Sequence, residues 1–311
     1  MKKILRQELK SYTPEWNAKC SIITNLFILV PTLTLAIVLL IYSKKVFEIE
    51  INYTNCIPNQ DNSQNMKTCK IQFLIPKKLK KPIFVYYRLK TFFINHRRII
   101  ESKSWKELKG EDVNTAMSCK GAYYMKEMFE ENSPYYTNEW GHQFSEDDVA
   151  SPCGLLAKCF FNDTYNITNV HGDFIYINET GISNKYLKTK FFKRRKNYKE
   201  TQWIDVENEH FINWINMETF KNFKKLWGRI DTDMDPGNYY LIVHDNYDVS
   251  AYESRKSIII GNENVFGMNN IIPYCFIVAS AYLFLVILIL WVKYVSSKDK
   301  KDFNISKLKW N

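Results

Sequence analysis

The chain has 311 residues, 46% of them hydrophobic, and a formal net charge of +10 at pH 7. That is enough apolar material to bury a sizeable core. A basic excess invites a nucleic-acid reading, but two apolar runs bracket residues 43–270 and set them across a membrane from any nucleic acid.

The first run is Ser21–Tyr42 (SIITNLFILVPTLTLAIVLLIY) and the second is Ile271–Val292 (IIPYCFIVASAYLFLVILILWV); neither holds Asp, Glu, Lys, Arg or His. A helix needs about 20 apolar residues to cross a hydrocarbon core, and both runs qualify. The first is too long for the apolar part of a signal peptide, and Ser43-Lys44-Lys45 follows it in place of a small-residue cleavage site. Thr24, Asn25, Thr32 and Thr34 are its polar residues, and Pro31 is placed to kink it. They either face lipid or pack against a partner's helices.

Five expected segments follow: a tail at 1–20, a transmembrane helix at 21–42, a large domain at 43–270, a second transmembrane helix at 271–292 and a tail at 293–311. Lys2, Lys3, Arg6, Lys10 and Lys19 on one tail, and Lys293, Lys298, Lys300, Lys301, Lys307 and Lys309 on the other, put both tails in the cytosol. Lys44 and Lys45 argue weakly the other way. Asn-x-Thr sequons at Asn52, Asn162, Asn166 and Asn178 all fall in the loop, as expected of glycan acceptors in a lumenal or extracellular domain. Asn304 matches as well, but in a cytosolic tail it stays unmodified.

Within the loop, Lys44–Tyr53 alternates like a strand, and Lys70–Ile75 and Ile83–Leu89 are rich in β-branched and aromatic residues. Thr91–Leu108 is a candidate helix. Lys109–Val149 is polar, with little periodicity. Phe174–Ile177 is a short strand candidate. Phe211, Ile215, Phe220, Phe223, Trp227 and Ile230 recur at helical spacing, which predicts one or two amphipathic helices with Asp205 as the cap. Asp235-Pro236-Gly237 turns the chain into strands over Asn238–His244 and Lys256–Ile260. The basic run Lys185–Lys199 reads as a solvated loop, or as a surface for anionic lipid or an acidic partner. The expected fold is two transmembrane α-helices flanking a β-rich, antiparallel α+β exoplasmic domain held by disulfides.

Seven cysteines are present. Cys20 and Cys275 lie at the membrane, while Cys56, Cys69, Cys119, Cys153 and Cys159 lie in the loop. An oxidising lumen lets four of these pair, with one left over. The local pair Cys56–Cys69 would close an Asn/Gln-rich loop and add about 3 kcal/mol. Zinc is the competing reading, but there is no Cys-x-x-Cys. Asp231, Asp233 and Asp235 have calcium-loop spacing, but Pro236 stands where the glycine belongs and Ile242 where the glutamate belongs. No nucleophile elbow, phosphate loop or dinucleotide fingerprint occurs. His96, His142, His171, His210 and His244 are scattered. No catalytic residue, metal site or cofactor is expected.

Several blocks together resemble the CDC-fifty/LEM-three family, the accessory β-subunits of type-four P-type ATPase lipid flippases. Val85–Ser102 (VYYRLKTFFINHRRIIES) is similar to the family's Tyr-Tyr…Asn-His-Arg-Arg run, at Tyr86, Tyr87, Leu89, Phe92, Asn95, His96, Arg97 and Arg98. Ser151–Thr164 (SPCGLLAKCFFNDT), His210–Ile230, Gly237–Tyr247 (GNYYLIVHDNY) and Glu48–Thr54 (EIEINYT) resemble further family blocks in family order, and Arg6–Trp16 does so weakly. The resemblance implies a second bridge, Cys119–Cys153, and makes Cys159 extra. The chain departs from the family in having only Cys56 and Cys69 after the first helix, in a reduced segment at Ile260–Asn270, and in the short basic stretch Gly181–Gln202.

The implied function is that of a non-catalytic subunit that lets a partner ATPase fold, leave the endoplasmic reticulum and move phospholipid from the exoplasmic to the cytosolic leaflet. The implied partners are the ATPase, in a heterodimer, and membrane lipid, in the endoplasmic reticulum, Golgi or plasma membrane. Tyr86, Tyr87, Asn95, His96, Arg97 and Arg98 would be partner contacts or architecture, with the His-Arg-Arg triplet either buried and hydrogen-bonded or facing the partner. The alternative is a two-helix homotrimeric channel subunit with a cysteine-bridged ectodomain.

Overall fold

The computed structural model describes residues 18–56, 68–112, 114–129, 137–250, 253–262 and 271–307, with side chains of the last helix described to Ser296. The Asn/Gln-rich loop, the outer parts of both tails and most of Ile260–Asn270 lie outside the described residues. The chain divides into two compact units, one holding both terminal segments and one spanning Phe47–Glu263.

In the first unit, helices Ala18–Lys45 and Ile271–Lys307 run beyond the apolar runs at their ends. Both are long and apolar enough to span a membrane, and they flank the β-rich domain in sequence. They pack on each other, and Ile22, Ala36, Ser43, Ser280 and Ile287 are buried. Small residues at such a contact let backbones approach. Ser280 Oγ donates to Thr32 Oγ1 at 3.3 Å. Thr24, Asn25, Thr32 and Thr34 each return a hydrogen bond to a carbonyl of their own helix. Most other side chains point outward, Phe27 and Val278 among them.

The second unit is built on two antiparallel four-stranded sheets. Strands β1 (Phe47–Asn52), β2 (Thr68–Ile75), β3 (Ile83–Lys90), β4 (Thr164–Asn169), β5 (Phe174–Ile175), β6 (Phe223–Ile230), β7 (Gly237–His244) and β8 (Arg255–Asn262) are ordered β1-β8-β3-β6 in one sheet and β2-β7-β4-β5 in the other. Their inward residues form one core. Alternation makes the faces: β3 buries Ile83, Val85, Tyr87 and Leu89 and half-exposes the residues between them. β8 is central and buries Lys256 through Gly261 without interruption.

Two expectations are corrected. The helix expected to run on to Ile230 stops at Ile215, covering Glu209–Ile215, and is capped by Asn208, whose Oδ1 accepts from His210 N and Phe211 N. Phe223–Ile230 is strand β6. Its register with β3 shifts at Val85/Tyr86, and this irregularity, with Lys225 on the inward face, hides the strand period. Asp205 instead takes the Arg194 guanidinium at 2.5 Å. Thr91–Leu108 is not one helix but two short ones, Arg97–Glu101 and Trp105–Leu108. Thr91 has a positive φ of 61° and stops the strand before them. β4 was not anticipated.

Candidate functional site

Three of the blocks singled out from the sequence, Glu48–Thr54, Ser151–Thr164 and Gly237–Tyr247, meet in one buried polar cluster. Phe161–Thr164 leads into β4, and Asp163 is wholly buried. Its Oδ1 accepts the backbone N–H groups of Asn246 at 2.8 Å and Tyr247 at 2.7 Å. Its Oδ2 accepts Tyr53 Oη at 3.0 Å and Lys256 Nζ at 2.9 Å. Lys256, 1% exposed, also donates to the Asp245 carboxylate and to the Tyr247 carbonyl. Tyr53 and Tyr165 share a hydrogen bond of 2.5 Å. Burial is the largest influence on Asp163 and pushes its carboxyl above the usual range, while Lys256 and the Tyr247 N–H pull it back. Burial likewise holds the Tyr53 and Tyr165 phenols well above theirs. The cluster ties the chain just after β1, the entry to β4, the β7–β8 connection and β8 together. Closed to solvent, it is a lock on the fold.

Around it lies an aromatic layer joining both sheets. Tyr87 stacks on Phe161 with centroids 4.2 Å apart, and Tyr165 meets Trp227 edge-on at 5.0 Å. Tyr86, on the opposite face of β3, lies under the Lys224 ammonium at 4.5 Å. Asn95 Nδ2 donates to the Thr219 carbonyl at 2.7 Å. His96, Arg97 and Arg98 are exposed at the start of the Arg97–Glu101 helix, and among the described residues Arg97 pairs only with exposed Glu101, at 2.9 Å. The motif therefore splits: Tyr87 is core, Tyr86 and Asn95 are tethers, and the triplet faces solvent rather than the interior. Beside it opens an apolar cleft of about 390 Å³ lined by Thr91, Phe92, Phe93, His96, Ile99 and Cys159. Burial raises the Cys159 thiol, opposed by Lys158, so the thiolate is scarce at neutral pH.

Cys56 is bonded to Cys69 and Cys119 to Cys153. Cys20, Cys159 and Cys275 are free. Glu107 lies with Cys119 and Cys153 in a buried group spanning less than 4.8 Å. The disulfide consumes both sulfurs, so the group offers no thiolate to a metal. Burial pushes the Glu107 carboxyl up, and Arg195 Nη2 at 3.6 Å opposes it. The three aspartates of calcium-loop spacing answer to two side-chain cations: Asp231 to Arg229 at 2.6 Å, and Asp233 and Asp235 to Lys78 at 3.7 and 2.9 Å. In the basic run, Lys188 holds Glu209 at 2.8 Å and Arg194 holds Asp205.

Of the sequon asparagines, Asn52 and Asn166 are exposed, and Asn162 and Asn178 are half-buried. Asn52 Oδ1 accepts both the N–H and hydroxyl of Thr54, and Asn178 Oδ1 does the same with Thr180. Lys256, Asp245 and Tyr165 were missed as members of the lock. The available signal was a lysine opening an otherwise apolar strand (KSIII), a position that demands a buried counter-charge.

A pair of membrane-spanning helices with a disulfide-bridged, double-sheet domain between them defines a class of two-span membrane proteins. The profile described as the LEM3 (ligand-effect modulator 3) family / CDC50 family matches residues 39–300. The chain belongs to that family. It is 26% identical to ALA-interacting subunit 3 of Arabidopsis thaliana, over 99% of this chain and 89% of the relative. It is 27% identical to cell cycle control protein 50C of Mus musculus, covering 80% of each. It is 26% identical to cell cycle control protein 50A of Bos taurus, over 96% of this chain and 91% of that one.

Proposed function

We propose that this chain is the non-catalytic accessory subunit of a type-four P-type ATPase phospholipid flippase. The observation that carries the reading is family membership across residues 39–300, with plant relatives named as interacting subunits. The buried lock supports it, because the shared blocks build a rigid domain and leave the His96–Arg98 turn exposed for a partner. The outward faces of both helices offer apolar surface to lipid and to the ATPase's own helices.

Such a subunit acts by differential binding. Contacts made to one state of the ATPase shift its population toward that state. Contacts made to the newly inserted ATPase help it fold and leave the endoplasmic reticulum. The domain is lumenal or extracellular, with both tails cytosolic, in the endoplasmic reticulum, Golgi or plasma membrane. The test is mild-detergent purification of the tagged chain, with mass spectrometry of what remains bound. A stoichiometric P-type ATPase whose ATP hydrolysis responds to phospholipid supports the reading. A homotrimer with no large partner overturns it in favour of the channel subunit.

A further inference from the structure

We propose that the outer face of the second sheet is a seat for an N-linked glycan on Asn166, with Phe174 and Tyr176 as its aromatic floor. This rests on the exoplasmic placement proposed above.

In β4, Tyr165 and Ile167 point into the core, and Asn166 between them is exposed. The ladder sets Thr168 opposite Phe174 and Ile167 opposite Ile175. Phe174 is therefore the diagonal neighbour of Asn166 on the outer face. Tyr176 lies one residue past the end of β5, two residues on from Phe174. Diagonal Cβ atoms lie about 7–8 Å apart, within reach of an aromatic side chain. On its other side Asn166 faces half-buried Ile242 of β7.

Phe174 is 72% exposed and Tyr176 76%. Two large aromatics left this open beside each other call for a cover. A sequon asparagine is the diagonal neighbour of Phe174, so the cover is carried by the chain itself. In the coupling step the Asn166 amide nitrogen displaces a lipid pyrophosphate from the anomeric carbon of a lipid-linked oligosaccharide. The N-glycosidic bond forms, the sugar–phosphate bond breaks, and one amide proton leaves with the pyrophosphate. The first N-acetylglucosamine then has a C–H-lined face to lay on the negative face of an aromatic ring. A glycan here also stands between this patch and any protein, which favours sugar over a protein as the occupant.

The test uses the full chain from eukaryotic cells, purified in detergent. Glycopeptide mass spectrometry should find Asn166 occupied. Asn166→Gln and the double variant Phe174→Ser/Tyr176→Ser should each lower the thermal midpoint by about 2–4 °C. Combined, they should lower it no further than either alone, whereas Asn178→Gln should add in full to the double variant. Endoglycosidase trimming to a single N-acetylglucosamine should leave the midpoint in place. Additive losses, or a bare Asn166 beside occupied sequons, overturn the seat. If all four sequons are bare, the exoplasmic reading fails first and takes the seat with it.

Discussion

Lys256 Nζ lies 2.9 Å from Asp163 Oδ2, and both side chains are shut off from solvent, at 2% and 0% exposure. Breaking such a pair by removing one partner leaves an uncompensated buried charge and costs about 3–5 kcal/mol. Lys256→Met strands Asp163 and is expected to cause a loss of that size, whereas Asp163→Asn leaves Lys256 its pair with Asp245 and is expected to cost less. The double variant should lose less than the sum by at least about 1 kcal/mol, because Asp163 is then no longer a stranded charge and only the part-exposed Asp245 lacks its partner. Chemical denaturation of the four proteins measures this. Strict additivity would mean the two residues stabilise the domain independently, against the geometry.

A second buried lysine gives a pH signature. Lys225 is 5% exposed; its ammonium donates to the Asn213 carbonyl at 2.6 Å and to the Asn216 carbonyl, with Glu218 at 3.5 Å. Burial is the largest influence and lowers its pKa from 10.5 to about 8, with Glu218 opposing. The unfolded chain therefore keeps this proton to higher pH than the folded chain does. From pH 8 to 10.5 the unfolded state binds more protons, so this residue's contribution to stability rises with pH across that window. Measured as wild type minus Lys225→Met, which cancels the other groups, the rise should approach about 3 kcal/mol. A flat difference across the window would show that the carbonyls hold the ammonium charged.

Lys225 also explains where the sequence misleads. The two membrane-spanning helices and strands β1, β2, β3, β7 and β8 were legible, because apolar length and alternation report burial directly. In FKKLWGRI the inward positions include a lysine, and Trp227 and Gly228 are both buried where β3 shifts register. The remaining apolar residues then imitate a helical spacing. In β4 (TYNITN) polar residues outnumber the two that enter the core, and its sequon reads as a loop. The lock was half legible. Asp163 was seen only as the middle of a sequon, since Lys256 is 93 residues away and one sequence carries no sign of which distant charges meet.

Gly154 is a position where the backbone tolerates no side chain. Its φ is +105°, and a Cβ there would collide with the Ser102 carbonyl oxygen and come within 2.8 Å of its carbonyl carbon. Gly154 follows disulfide-bonded Cys153 and donates its N–H to the Ala122 carbonyl at 2.8 Å. Gly154→Ala should therefore destabilise by about 3 kcal/mol or more, combining strained φ with a backbone clash. Gly141 is the control, with φ +82° and nothing within 4 Å of its added Cβ. Gly141→Ala should cost only about 1 kcal/mol. Thermal midpoints of the two variants check this, and equal losses would leave φ alone as the cause.

The exposed His96–Arg98 turn separates architecture from partner contact. Arg97 and its companion Glu101 are 87% and 63% exposed, and Arg98 is exposed beside them. Solvent screens an ion pair so open, and side-chain entropy opposes it. Arg97→Ala/Arg98→Ala should therefore leave the thermal midpoint where it was. If the turn meets the ATPase, the same variant should lower the amount of ATPase captured by roughly ten-fold, since arginines are frequent anchors at interfaces. Tyr87→Ala is the contrasting variant. It removes the ring stacked on Phe161, so the midpoint should fall by several degrees, and capture should fall only as folded protein is lost. Undiminished capture by the arginine variant, with its midpoint unchanged, would remove the turn from the interface.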